Sequence, residues 1–198
     1  MQKLIWAFLA TFLLFLSACN NRKNSEVNLT KDSVDSVHIF PVTSFLKGRL
    51  RALDTMPITP LKTITEDGKI DSLWMKRDDI RKYASPFLTP IIDSSTMYPF
   101  FTEKSFLDQT INAYTFSYDP KVRLPDSINL IHWDVYMNPQ TNSIERIYLV
   151  KEKDENNENI TTQLTWLVDK WYSIRTITQA PGKEAHVKEE KMIWNFDE

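Results

Sequence analysis

Three histidines, His38, His132 and His186, are the side chains of this sequence whose ordinary titration falls near neutral pH. They lie far apart, and none has a second ligand at a metal-binding spacing such as His-x-x-x-His. His132 sits between Ile131 and Trp133 in an alternating run, which places it on the wetter face of a strand. Carboxylates come in adjacent groups: Asp78-Asp79, Glu189-Glu190 and Glu152/Asp154/Glu155. Such groups read as solvated faces, and a glycosidase pair is defined by separation in space rather than in sequence. The stretch Asp154–Asn159 has the oxygen-rich composition that calcium favours, but lacks the glycine and spacing of an EF-hand loop. Only Gly48, Gly68 and Gly182 occur. Neither a Gly-x-Ser-x-Gly elbow nor a phosphate loop nor a dinucleotide fingerprint can be written with them. The sequence thus offers no catalytic residue, no metal set and no cofactor. A cleft bringing His132 against two carboxylates is the arrangement that would restore an enzyme.

The remaining reactive group is Cys19, the one cysteine of the 198 residues. A lone cysteine is odd in a secreted domain, where disulfides come in pairs. Its position explains it. Lys3 precedes an apolar run from Leu4 to Leu16, too short for a comfortable bilayer crossing of about 20 residues. A positive start, a short apolar core and the small pair Ser17-Ala18 describe a secretory signal.

Leu16-Ser17-Ala18-Cys19 resembles the lipobox of bacterial lipoproteins. The resemblance implies cleavage between Ala18 and Cys19 and acylation of Cys19, which becomes the first residue of the mature chain. Several acyl chains anchor firmly where one holds only marginally. No thiol then remains for disulfides, metal or catalysis. By analogy with enterobacterial lipoproteins, Asn20 in place of Asp points to the outer membrane. The absence of acidic residues just after Cys19 favours its periplasmic face. The chain also resembles envelope lipoproteins of Bacteroidota to which no function attaches.

The positions of these residues divide the chain into a signal peptide (1–18), a lipidated polar tether (19–37) and one domain (38–198). Losing Lys3 with the signal takes the formal net charge from −2 to −3, so no strong field invites nucleic acid. Phe45, Leu46, Leu50 and Leu53 stand at helical spacing within Phe40–Leu53. Pro60–Met75 reads as a hairpin turning at Asp67-Gly68. Lys76–Leu88 reads as a short helix, Thr89–Thr102 as irregular, and Glu103–Thr110 as a further helical turn. From Gln109 six β-branched, aromatic segments recur about every dozen residues, with turn chemistry between them. The expected fold class is α+β: N-terminal helices and a short hairpin packed on a C-terminal antiparallel meander of about six strands.

Aromatic residues fall on both faces of that sheet. Trp133, Trp171 and Tyr172 therefore form a possible binding surface. The first functional expectation is a non-enzymatic envelope lipoprotein that binds a protein partner or scaffolds an assembly. The alternative is a carrier of an acyl-chain ligand cradled by a curved sheet. An envelope hydrolase ranks third. A deep apolar cavity favours the carrier, and a flat exposed patch at Trp171 or Tyr172 favours the partner.

Overall fold

The computed structural model describes residues 39–197. The expectations for the signal peptide, the tether, Ala18, Cys19 and His38 lie outside those residues.

The described residues open with α1 (Val42–Leu53), whose Val42, Thr43, Leu46, Leu50 and Leu53 form the buried stripe that the spacing predicts. Next come β1 (Leu61–Glu66) and β2 (Lys69–Trp74). Asp67 and Gly68 both have positive φ in the turn between them, the backbone that a two-residue hairpin demands. Two short helices, α2 (Arg77–Tyr83) and α3 (Ser94–Met97), flank a 3-10 turn at Ser85–Leu88. Seven strands follow: β3 (Phe101–Asp108), β4 (Ala113–Pro120), β5 (Leu130–Met137), β6 (Ile144–Glu155), β7 (Glu158–Leu167), β8 (Trp171–Gln179) and β9 (His186–Ile193).

All nine strands join one antiparallel sheet in the order β2-β1-β9-β8-β7-β6-β5-β4-β3. This overturns the expected α+β arrangement of helices and a hairpin packed on six strands. The hairpin is not packed on the meander. It extends it, because β1 pairs with β9 from Leu61↔Ile193 to Glu66↔Lys188. Glu103–Thr110 is not a helical turn either. Phe101–Asp108 pairs residue by residue with β4, and that pairing overrides the helix-forming composition of Glu-Lys-Ser-Phe-Leu. The result is a sheet-dominated fold with few, short helices.

The helices and the 3-10 turn bury one face of this sheet. Tyr118, Trp133, Val135, Ile147, Leu149, Leu164, Trp166, Tyr172 and Met192 alternate along their strands and form the core with Leu46, Leu50, Ile80 and Phe87. Phe87 meets Trp166 and Tyr172 edge-on at 5.4 Å, and Trp133 stacks on Tyr118 at 4.6 Å. The Tyr172 hydroxyl donates to the Ile80 carbonyl at 3.0 Å and pins α2 to β8. The opposite face carries Lys104, Ser117, Asp134, Tyr148, Thr165, Ser173 and Lys191 as one row across the strands.

Candidate functional site

The polar face gathers the one cluster that resembles catalytic machinery. Strand alternation puts His132, Asp134 and Tyr136 on the same side of β5. Pairing with β4 brings Asp119 across, beside a register shift between Leu130 and His132. His132 Nδ1 lies 2.9 Å from Asp119 Oδ1, and Nε2 lies 3.2 Å from Asp134 Oδ2. Tyr136 donates to Asp134 at 3.0 Å, and the Lys104 ammonium sits 3.1 Å from Asp119. The hydrogen bond to Asp134 raises the His132 pKa most; Asp119 adds to it and burial opposes. Burial pushes the Asp134 carboxyl up, but hydrogen bonds from His132, Ser117 and Tyr136 win and hold it below its ordinary value. Asp119 is lowered chiefly by His132 and further by Lys104. Burial and the Asp134 charge push the Tyr136 hydroxyl up to about 12.

A carboxylate at each ring nitrogen favours the charged ring, which donates through both. In that state it has no lone pair to accept a proton or bind a metal. Each nitrogen points at its own carboxylate, so the three groups do not converge on a shared centre. Among the described residues, no group of three or more His, Cys, Asp or Glu is placed to hold a metal ion.

The other charged candidates serve local structure. His186 bridges Glu66 at 3.0 Å and Asp67 at 3.2 Å on the exposed hairpin end. Asp79 accepts from the Lys76 N–H at 3.2 Å at the start of α2, and Asp78 pairs with Arg77. Glu190 pairs with Lys62 at 2.7 Å. In Asp154–Asn159, Asn156 and Asn157 have positive φ and make the two-residue turn between β6 and β7. The Asn159 amide there donates to Glu152 and Asp154. Ser44 and Lys47 stand at the Ser-x-x-Lys spacing of serine acyl enzymes. Both are exposed on α1 with no hydrogen bond between them, so no buried amine activates the hydroxyl.

The helix-bearing face holds an apolar hollow of about 670 Å³. Its walls come from three parts of the chain: the entry to α1 (Ile39, Phe40, Pro41), strands β4 and β5 (Phe116, Tyr118, Met137) and the start of β6 (Ile144). Ser94, Glu103 and Asn142 supply its remaining polar edge. The Phe40 N–H donates to the Tyr118 hydroxyl at 3.2 Å, with the Glu103 side chain beside that hydroxyl. Burial, and next the Glu103 carboxylate, push the Tyr118 pKa up. On the same face the row continues from Met137 through Tyr114 to Leu107, both exposed. α1 does not cover this end of the sheet. A second hollow of about 370 Å³ adjoins the first at Ile144 and is lined by Arg49, Glu145, Asp169 and Lys170.

Comparison of the chain with models of known families, with curated proteins and with solved structures returned no match.

The expected surface of Trp133, Trp171 and Tyr172 is not a surface. Trp133 and Tyr172 are buried in the core. Trp171 is half-buried on the polar face with the Lys191 ammonium 4.1 Å from its ring centre. The alternation placed these side chains on opposite faces correctly, but not the helices that cover one of them. A cradle for an acyl chain was the alternative expectation, but its lining was not legible, because Phe40, Phe116 and Met137 come together only through strand register.

Proposed function

We propose that the domain is a non-enzymatic binder of an apolar ligand, a carrier module held at the envelope membrane by an acylated Cys19. The observation that carries this reading is the hollow at Phe40, Phe116, Met137 and Ile144. Its volume of about 670 Å³ lies within the few hundred to about 1,000 Å³ usual for small-molecule sites, and its lining is mostly apolar with few polar groups. The His132 cluster argues the same way, since each ring nitrogen is already taken by a carboxylate of its own.

Partner binding, the other reading, keeps one observation. β2 is a free edge of the sheet, and its Ile70, Leu73 and Trp74 are exposed.

The test uses the full chain extracted from membranes and transferred into an amphipathic polymer. N-phenyl-1-naphthylamine, an apolar dye, should brighten on binding and be displaced by decyl-chain amphiphiles. Met137→Trp, which fills the hollow, should weaken dye binding at least about tenfold. Dye binding unchanged by Met137→Trp, but lost in Trp74→Ser, would move the apolar site to the β2 edge and sink the carrier reading.

A further inference from the structure

The two adjoining hollows differ in character, and the difference points to the ligand's shape. The first carries one charged residue, Glu103, which stands beside the Tyr118 hydroxyl. The second sets Arg49, Glu145, Asp169 and Lys170 beside Leu167 and Val168 around a smaller space. Ile144 belongs to both, and Asn142 and Ser143 line the first and the second in turn. A mostly apolar wall thus passes into one that adds four charged residues within one strand start. α1 flanks the same path, with Phe40 against Phe45 at 5.6 Å and the Arg49 guanidinium 5.3 Å from the Phe45 ring centre.

The charges of the second hollow are mixed and loosely held. Arg49 and Asp169 approach only to 3.5 Å, with 37% and 58% of their side chains open to solvent. Such a pair is worth little and is easily re-partnered. Glu145 accepts from the Asn138 amide at 2.7 Å. The Lys170 ammonium forms no ion pair among the described residues. A purely anionic head placed here meets Asp169 and Glu145 as well as the cations. A purely cationic head meets Arg49 and Lys170. Only a head carrying both signs finds a partner for each.

We infer that the ligand is a single-chain zwitterionic amphiphile: its tail lies in the apolar hollow, and its head, an anionic phosphate with an ammonium, spans Arg49/Lys170 and Asp169/Glu145. This rests on the carrier reading and adds the class of ligand to it. Free fatty acids are then poor ligands, since their carboxylate gains nothing at Glu103 and meets opposing charges at the head.

The experiment displaces the bound dye from the full chain with three probes of equal tail and different head, all below their micelle concentrations. They are decanoate, decyltrimethylammonium and decylphosphocholine. Decylphosphocholine should act at about tenfold lower concentration than either of the others. The advantage should vanish in the double variant Arg49→Gln/Asp169→Asn, while dye binding itself stays unchanged. Asp169 is exposed and Arg49 half-buried at the rim, and unchanged dye binding with an unchanged thermal midpoint shows that the variant keeps the fold. Equal potency of the three probes overturns the inference and leaves the apolar site standing. Tighter binding of decanoate or of decyltrimethylammonium overturns it as well. A protein that binds neither dye nor any probe overturns the carrier reading itself.

Discussion

A histidine gripped by two carboxylates stabilises a fold only within a pH window, and the neighbours of His132 fix that window. Its folded pKa is raised above 6.5, so its contribution is fully present below that value and is lost as pH rises through the raised one. Asp119 and Asp134 are lowered below 3.8, so theirs is present above that value and is lost as pH falls through the lowered ones. The cluster therefore contributes fully between about pH 4 and 6.5. His132→Asn should cost about 1 kcal/mol in urea unfolding at pH 6 and clearly less at pH 9, after discounting for partial exposure. An equal loss at both pH values would show that the ring acts through packing alone. Part of this cluster was legible. The i, i+2 spacing of His132 and Asp134 follows from strand periodicity. Asp119 was not legible, because only the pairing of β4 with β5 brings it across.

Lys151 makes the opposite kind of statement at the scale of an element. It projects from β6 into the core face, and its ammonium donates to the Pro86 and Thr89 carbonyls of the segment after α2. No carboxylate among the described residues pairs with it, and burial lowers its pKa from 10.5 to about 8. A lowered lysine binds fewer protons when folded, so stability rises with pH between those two values. Between pH 8 and 9.5 the chain should gain about 1–2 kcal/mol relative to Lys151→Met, read as the shift in urea midpoint. A flat difference across that range would mean that the amine is solvated. The hairpin offers a second check. Gly68 has φ +75° in the β1–β2 turn with open space around it, so a side chain meets strain rather than a clash. Gly68→Val should cost about 1 kcal/mol or more and loosen hydrogen-exchange protection in β1 and β2 before the rest of the sheet. Loss spread evenly over all nine strands would mean that the hairpin unfolds only with the whole. The hairpin itself was legible from Asp67-Gly68, but its membership of the large sheet depends on β9, more than a hundred residues away. Local pattern carries no information about such a partner. Strand β3 was misread for the related reason that edge pairing outweighed propensity.

The whole molecule is proposed to divide two tasks between two parts of the chain, and this makes them separable. The address is local: four residues, Leu16 to Cys19, need no tertiary structure to be recognised, which is why the sequence alone carries that resemblance. The hollow is global, built from the α1 entry and strands β4 to β6, and no stretch of sequence announces it. Ligand binding to the folded state alone should stabilise by about 2.7 kcal/mol at a hundredfold excess over Kd. For a domain of this size that is a rise in Tm of about 5–10 °C with decylphosphocholine. The lipobox reading has its own measurement. Intact mass of the full-length product from a Gram-negative host should lack residues 1–18 and carry acyl chains, both lost in Cys19→Ala. That variant should keep the thermal response to amphiphile, because no hollow residue changes. Met137→Trp should do the reverse, with normal acylation and no thermal response. If Cys19→Ala abolished the response too, the acyl groups themselves would be part of the binding site. The two tasks would then have to be argued as one.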